Sequence, residues 1–406
     1  MKQVAGILLC VLTAACSEPA EVGCRDDDRY IVPFGDEDLT FYVGPYQEHT
    51  TTTTAAIGWE TVESGDTRLE YGPDDSYGQE VQGDSGTMHQ VQISGLQPAT
   101  LYHYRACTGE QCTKDLIFST APEAGKPFRM AIYGDCQDNP AAHHRVIEQI
   151  MGDQATMALV VGDTVSDGRN REEFKERYYD PARALAHSIP RWAAIGNHDR
   201  KDVEAVHYID YHIFPEDPDV PQAEISYSFT YGDAFFLVFD NTLDHLDLFF
   251  PPVEGNNPPL WLWLQKQAAS EAAKSARWRF AFAHYPAKSS CYTGDDNETL
   301  PEAAMRTYIL PMLWQNNFQA YFSGHVHCYE RLDFDGHLVI ITGGGGGGLE
   351  DSCIGDVPES QFTNCVHHHT LIELGCTQAR LWARDFDGNI LDQVVLNEDG
   401  SYQVVP

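Results

Sequence analysis

Residues 318–327 read Phe318-Gln319-Ala320-Tyr321-Phe322-Ser323-Gly324-His325-Val326-His327. An apolar run long enough for one buried strand stops at a glycine, and two imidazoles follow with one residue between them. Four other apolar runs stop in the same manner. Residues 128–133 lead into Gly134-Asp135, 157–161 into Gly162-Asp163, 192–195 into Gly196-Asn197-His198-Asp199, and 278–283 into His284-Tyr285-Pro286. A buried strand that ends on Asp, Asn or His delivers that side chain to one rim of its sheet. In open α/β sheets that rim, at the carboxyl ends of the strands, is where ligands bind. Helix-like stretches at 140–151, 172–185, 260–275 and 301–316 alternate with the strands, which predicts an α/β domain with layered sheets and outer helices.

Together the strand ends offer two carboxylates (Asp135, Asp163), one amide oxygen (Asn197) and three imidazoles (His284, His325, His327). A mixed oxygen and nitrogen set without thiolate suits Zn, Mn or Fe and differs from an all-oxygen Ca or Mg site. Six donors are too many for one tetrahedral ion and match two ions that share a carboxylate. Two ions ~3.5–4 Å apart clamp the attacking and leaving oxygens of an in-line phosphoryl displacement. Each position also has a plainer reading: an Asp after a strand commonly caps a helix, and a lone buried His is commonly a satisfied core residue. The coherence of all six favours metal.

Ahead of this region, residues 39–120 consist of short alternating runs (55–61, 67–71, 89–93, 101–106, 116–119) separated by Gly- and Pro-containing turns. Evenly spaced short strands predict an all-β sandwich. The stretch 121–127 then reads as a linker.

The chain carries 26 Lys+Arg against 61 Asp+Glu, a formal net charge of −35. Such a surface repels nucleic acid duplexes and anionic lipid, although cations in a site can reverse the local field for a phosphate substrate. The amino terminus has one Lys, an apolar stretch at 4–15 and then Ala14-Ala15-Cys16, the pattern of an export signal and too short for a membrane span. Ala14-Ala15-Cys16 resembles a bacterial lipoprotein box, with Cys16 as the lipidated residue; simple cleavage is the alternative, because Thr13 stands where that box prefers Leu or Val. The expectation is an exported, periplasmic or cell-surface lipoprotein that meets the membrane only through its lipid. Leaving Cys10 and Cys16 aside, nine cysteines remain, so at least one is unpaired. Cys107 with Cys112, and Cys353 with Cys365, are the expected bridges.

The ordered set GD, GD, GNHD, H, GHVH resembles the calcineurin-like metallophosphoesterase superfamily. Gly324-His-Val-His-Cys-Tyr-Glu-Arg331 resembles the purple acid phosphatase form of the last motif. Trp59, Leu69-Glu-Tyr-Gly72 and the segment 91–105 look like the fibronectin type III-like domain that precedes the catalytic domain in those enzymes. The resemblance implies a four-layer αββα sandwich at 126–395, preceded by a signal segment (1–16), a linker (17–36) and the β-sandwich domain (37–121). It implies that Asp135, Asp163 and His327 bind a first divalent metal and Asn197, His284 and His325 a second, with Asp163 bridging. His198 and Asp199 are the implied catalytic residues: His198 hydrogen-bonds the phosphate or protonates the leaving oxygen, while Asp199 orients a neighbour or accepts backbone bonds. The implied reaction is hydrolysis of small phosphate monoesters by in-line attack of metal-bound hydroxide.

Two departures stand out. The purple enzymes take a tyrosinate from the position of Ser166, and other superfamily members a His from that of Gln137; both are here possible metal ligands or groups behind the ligands. The substrate-contacting histidines of the purple enzymes are absent from 287–306, where Tyr292 and Arg306 are the candidate substrate contacts. A phosphodiesterase or nucleotide hydrolase is therefore the alternative activity, and an inactive surface binding protein a third reading. Among other features, Gly343–Gly348 lacks the Lys-Ser/Thr of a P-loop and is expected to be a flexible turn. His367-His-His369 is expected behind the ligands or at the surface, Glu330 and Arg331 as an ion pair, and 333–336 and 385–388 as hairpin turns.

Overall fold

The structure is a computed structural model that describes residues 24–26, 28–201, 204–220, 224–242, 258–291, 300–353 and 355–406. Cys16 and Tyr292 lie outside these residues.

The amino-terminal strands Val43–Glu48, Thr54–Gly72, Gln79–Ser94, Leu101–Thr108, Gln111–Cys112 and Leu116–Ser119 pair antiparallel around a core that includes Ile57, Trp59, Leu69, Tyr104 and Phe118. The runs 55–61 and 67–71 are one strand rather than two. Register shifts on either side of Gly65 supply the break that the sequence suggested, as glycine inside a strand commonly marks a bulge. A disulfide joins Cys107 and Cys112, as expected.

Two seven-stranded sheets follow. From edge to edge the first runs Tyr402–Val404, Ile390–Asn397, Gln378–Asp385, His368–Leu374, Phe128–Tyr133, Met157–Val160 and Arg191–Ala193. The second runs Tyr227–Tyr231, Ala234–Val238, Trp278–Phe282, Ala320–Ser323, His337–Thr342, Tyr329–Phe334 and Ser360–Asn364. In each sheet the strands that precede the motif residues are parallel neighbours, so their carboxyl ends share one rim.

The period of two shows how the layers form. On Ala234–Val238, Phe236 and Val238 join a core with Ile132, Leu159, Phe282 and Phe322. Phe235 and Leu237 face the other way, into a second core with Trp263, Leu264 and Leu313 of the helices. The result is a four-layer αββα arrangement. The expected helix at 172–185 is interrupted: Arg171–Glu173 and a π turn at Phe174–Tyr179 stop before Arg183–Ser188, and Pro181 in the gap has no N–H to continue the ladder. The expected helix at 260–275 divides into Pro259–Ala268 and Glu271–Ser275, because the Ser270 side chain caps the second piece by accepting from Ala273 N.

Cys353 does not pair with Cys365. It bonds Cys291, and Cys24 bonds Cys376. The expected Glu330–Arg331 pair is also absent, since adjacent strand residues point to opposite faces. Arg331 binds Asp392, while Glu330 accepts from Ser289 and Ser290. The turns at 333–336 and 385–388 do join antiparallel strands. No helix among the described residues is long and apolar enough to cross a membrane.

Candidate metal centre

The first sheet brings Asp135, Asp163 and Asn197 to the rim, and the second brings His284, His325 and His327. Asp135, Asp163 and His325 adopt positive φ (56°, 51° and 70°), a conformation that costs a non-glycine residue of order 1–3 kcal/mol and persists only where the surroundings impose it. Here each turn is held by its neighbour. Asp135 N donates to Gly162 O at 2.9 Å, Cys136 N to Asp163 O at 3.1 Å, and His325 N to both Asp135 carboxylate oxygens at 3.0 Å. The motif glycines allow this crowding. A Cβ on Gly196 would overlap Asp163 Oδ1, and one on Gly324 would overlap Asp135 Oδ2.

The imidazole tautomers follow from carbonyl partners. His284 Nδ1 lies 2.8 Å from Val161 O and must donate there, which leaves Nε2 as a lone pair. That lone pair faces Asn197 Oδ1 at 3.0 Å and Asp163 Oδ1 at 3.3 Å, and His325 Nδ1 faces the same Asn197 oxygen at 3.1 Å. His327 Nδ1 donates to Gly348 O, so its Nε2 points inward, 3.6 Å from Asp135 Oδ1. Electron-pair donors therefore converge on one another, an arrangement that needs a cation between them. Buried Gln137 adds another: its Oε1 has no partner, while its Nε2 sits 3.3 Å from Asp163 Oδ2 and from His327 Nε2. Turning the amide over would offer the oxygen to a metal on the Asp135–Asp163–His327 side. The residues present fit two divalent ions.

His198 stands at the mouth. Its Nδ1 donates to Ser166 O at 2.7 Å, and its Nε2 is 4.0 Å from Asp163 Oδ2, with the side chain 34% exposed. Asp199 is not positioned to touch substrate. It is fully buried and accepts from Thr164 N, Thr164 Oγ1, Val165 N and Gly196 N, so it shapes the loops carrying Asp163 and Asn197. Ser166 is not a ligand either, since its hydroxyl turns to Asp138 Oδ1 at 2.6 Å. Arg306 holds the Ala287 carbonyl of the loop beyond His284.

Gly343–Gly347 is buried rather than a flexible turn. Gly345 N donates to Gly134 O at 2.8 Å and Gly347 N to Asp135 O at 2.6 Å, so the glycine run packs beneath the first ligand. His368 N in turn donates to Gly344 O, and the side chains of His368 and His369 reach Val366 O and Asp153 instead of the centre. The sequence reading missed Asp240 and Asn241. Asp240 pairs with buried Arg200, and Asn241 brackets Tyr285 through its backbone N and O, which fixes the residue after His284. A signal was present: the apolar run at 234–239 also ends in Asp-Asn.

Known proteins resemble this chain in sequence and fold. Residues 128–329 match the family described as calcineurin-like phosphoesterase, and residues 45–120 match the purple acid phosphatase N-terminal domain. Purple acid phosphatase 23 of Arabidopsis thaliana is 25% identical over 284 residues, which is 61% of this chain and 58% of that protein, less than two thirds of the relative's length. The purple acid phosphatase PPD1 of yellow lupin (Lupinus luteus) superposes with a TM-score of 0.73 at 17% identity, covering 89% of this chain and 74% of that one. The PhoD structure superposes at 0.69 with 14% identity, covering 93% and 92%. Residues 128–329 are thus a calcineurin-like phosphoesterase domain, preceded at 45–120 by a purple acid phosphatase N-terminal domain.

Proposed function

We propose that this protein hydrolyses phosphate monoesters of small molecules at a dinuclear centre held by Asp135, Asp163, Asn197, His284, His325 and His327. The observation that carries the reading is the convergence of the His284, His325 and Asp163 donor atoms, all within 4.8 Å of one another, on the Asn197 side of the cleft. Two divalent ions, Zn, Mn or Fe by donor type, would supply activation of water and neutralisation of the phosphoryl oxygens. The chain's residues do the rest. Asp163, with Oδ1 3.3 Å from His284 Nε2 and Oδ2 3.3 Å from Gln137 Nε2, would be the ligand held in common by the two ions. The Ser166 carbonyl holds the His198 ring with Nε2 toward the mouth, so that a protonated ring donates from Nε2 to the leaving oxygen. The sequence has no nucleophile motif of the GxSxG kind, which favours direct attack by water in line with the leaving group.

A second reading, phosphodiester or nucleotide hydrolysis, is favoured by one observation: no histidine occurs in 287–306 to contact a dianionic terminal phosphate. A panel of p-nitrophenyl monoesters and diesters, run on protein of known metal content, tests both. Monoester turnover well above diester turnover supports the first, the reverse order supports the second, and no turnover by fully loaded protein refutes both.

Export is part of the same proposal, with Cys16 as lipid site. The Cys24–Cys376 and Cys107–Cys112 disulfides support it, since such bonds persist in oxidising compartments.

A further inference from the structure

Away from the metal donors, Cys291, Cys328, Cys353 and Cys365 bring four sulfurs to within 4.8 Å of one another. Cys291 and Cys353 are bonded. Cys328 Sγ lies 2.6 Å from Cys365 Sγ and 3.3 Å from Cys353 Sγ, and Cys353 Sγ lies 3.2 Å from Cys365 Sγ. Non-bonded heavy atoms settle about 3.5–4 Å apart, so the Cys328 and Cys365 sulfurs are inside contact distance. A tetrahedral zinc with Zn–S of about 2.3 Å would hold its sulfurs roughly 3.8 Å apart, farther than any of these three separations. The spacing matches paired sulfurs rather than a shared ion.

The count of cysteines agrees. Besides Cys10 and Cys16, three disulfides leave Cys136, Cys328 and Cys365. Joining the last two leaves buried Cys136 as the single thiol. The position also matters: Cys328 follows His327 directly, Cys291 follows Ser290, which binds Glu330, and Gly355 N donates to Ser290 O at 2.8 Å. Separate segments of the chain, one of them running directly on from His327, meet at these sulfurs.

We propose that Cys291, Cys328, Cys353 and Cys365 form a thiol–disulfide exchange site in which Cys328–Cys365 is a fourth disulfide and Cys353 is the sulfur shared between alternative pairings. Closing the fourth bond removes two electrons and two protons from Cys328 and Cys365. A small-molecule disulfide accepts them and departs as two thiols. When only one thiol of the pair is present, exchange needs no oxidant. The Cys365 thiolate attacks Cys353 Sγ, the Cys353–Cys365 bond forms, and Cys291 leaves with the electron pair of the broken bond and takes a proton. Half-exposed Cys353 and Cys365 are the sulfurs a soluble thiol reaches first.

The test is peptide mapping of the full chain, acid-quenched, denatured and alkylated without reduction. The expected map has Cys136 alkylated, Cys328 joined to Cys365, and Cys291 joined to Cys353. Alkylation of both Cys328 and Cys365 overturns the fourth bond, as does alkylation of all four only after zinc is chelated away. For exchange, Cys328→Ser is expected to give a mixture of Cys291–Cys353 and Cys353–Cys365 linkages. If that variant does not accumulate, Cys365→Ser is expected to give Cys291–Cys353 together with Cys328–Cys353. Recovery of Cys291–Cys353 alone, with the remaining thiol fully alkylated, overturns the exchange.

Discussion

His284 Nε2 and Asn197 Oδ1 face each other at 3.0 Å across the gap between the two sheets. The imidazole commits its proton to Val161 O, so neither atom can donate to the other. A divalent cation held between the two atoms would resolve the contact.

Metal analysis should find two divalent ions per chain, and Asp163→Ala should lose both because it serves the two groups of ligands. Chelation should lower the melting temperature, since free metal at about 100 times Kd stabilises by about 2.7 kcal/mol. An unchanged melting temperature on complete removal of metal would refute the assignment.

His198→Ala should slow turnover by about 100- to 10,000-fold, the usual range for a lost general acid. Metal content should stay at the wild-type level, since the ring sits 4.0 Å from the bridging carboxylate and binds a backbone carbonyl. A parallel loss of metal would make His198 a ligand instead.

Asp199→Ala should act through stability. It strands the N–H groups of Thr164, Val165 and Gly196 and the Thr164 hydroxyl in a fully buried place, at a cost of about 3 kcal/mol or more. Urea unfolding reads this directly. A variant as stable as wild type yet inactive would return Asp199 to a catalytic role.

Metal-replete protein should lack a tyrosinate-to-iron band in the visible. Ser166 occupies the tyrosine position and bonds Asp138, and no phenol replaces it among the described ligands. A strong purple absorption in the isolated protein would contradict this.

Stability should fall as pH drops below about 6.5, the ordinary histidine value. Burial holds His143 and His187 down at about 3, so between these limits the unfolded chain binds the protons and the folded chain does not. Each contributes a slope of about 1.4 kcal/mol per pH unit over that window, with stability lost toward acid. Urea midpoints from pH 7 to 4 measure the slope, and His187→Gln should flatten it. An identical slope in that variant would exclude His187 as a source.

The five strand-to-polar junctions were legible because a buried strand is an apolar run and its end is a change of residue type. Residues 128–133 are a strand end for end, and six donors named from the pattern meet at one rim. Asp240-Asn241 has the same local signature, yet its side chains are spent on Arg200 and Tyr285. Local pattern cannot tell a ligand from a support. Ser166 and Asp199 show the same limit: each follows a ligand within three residues in sequence, yet turns away from the centre because nearby loop groups claim its oxygens.

By itself, the order of residues determined the five strands that lead to the donors, which side chains end them, and the mixed donor chemistry they carry, since these depend on hydrophobic period and residue type. Tertiary structure alone decided which donors face one another, why the glycine run is packed instead of free, and that Cys353 is bonded to Cys291 rather than to Cys365. Those outcomes depend on how two sheets stack, and contacts between chain segments tens to hundreds of residues apart leave no periodic trace in sequence.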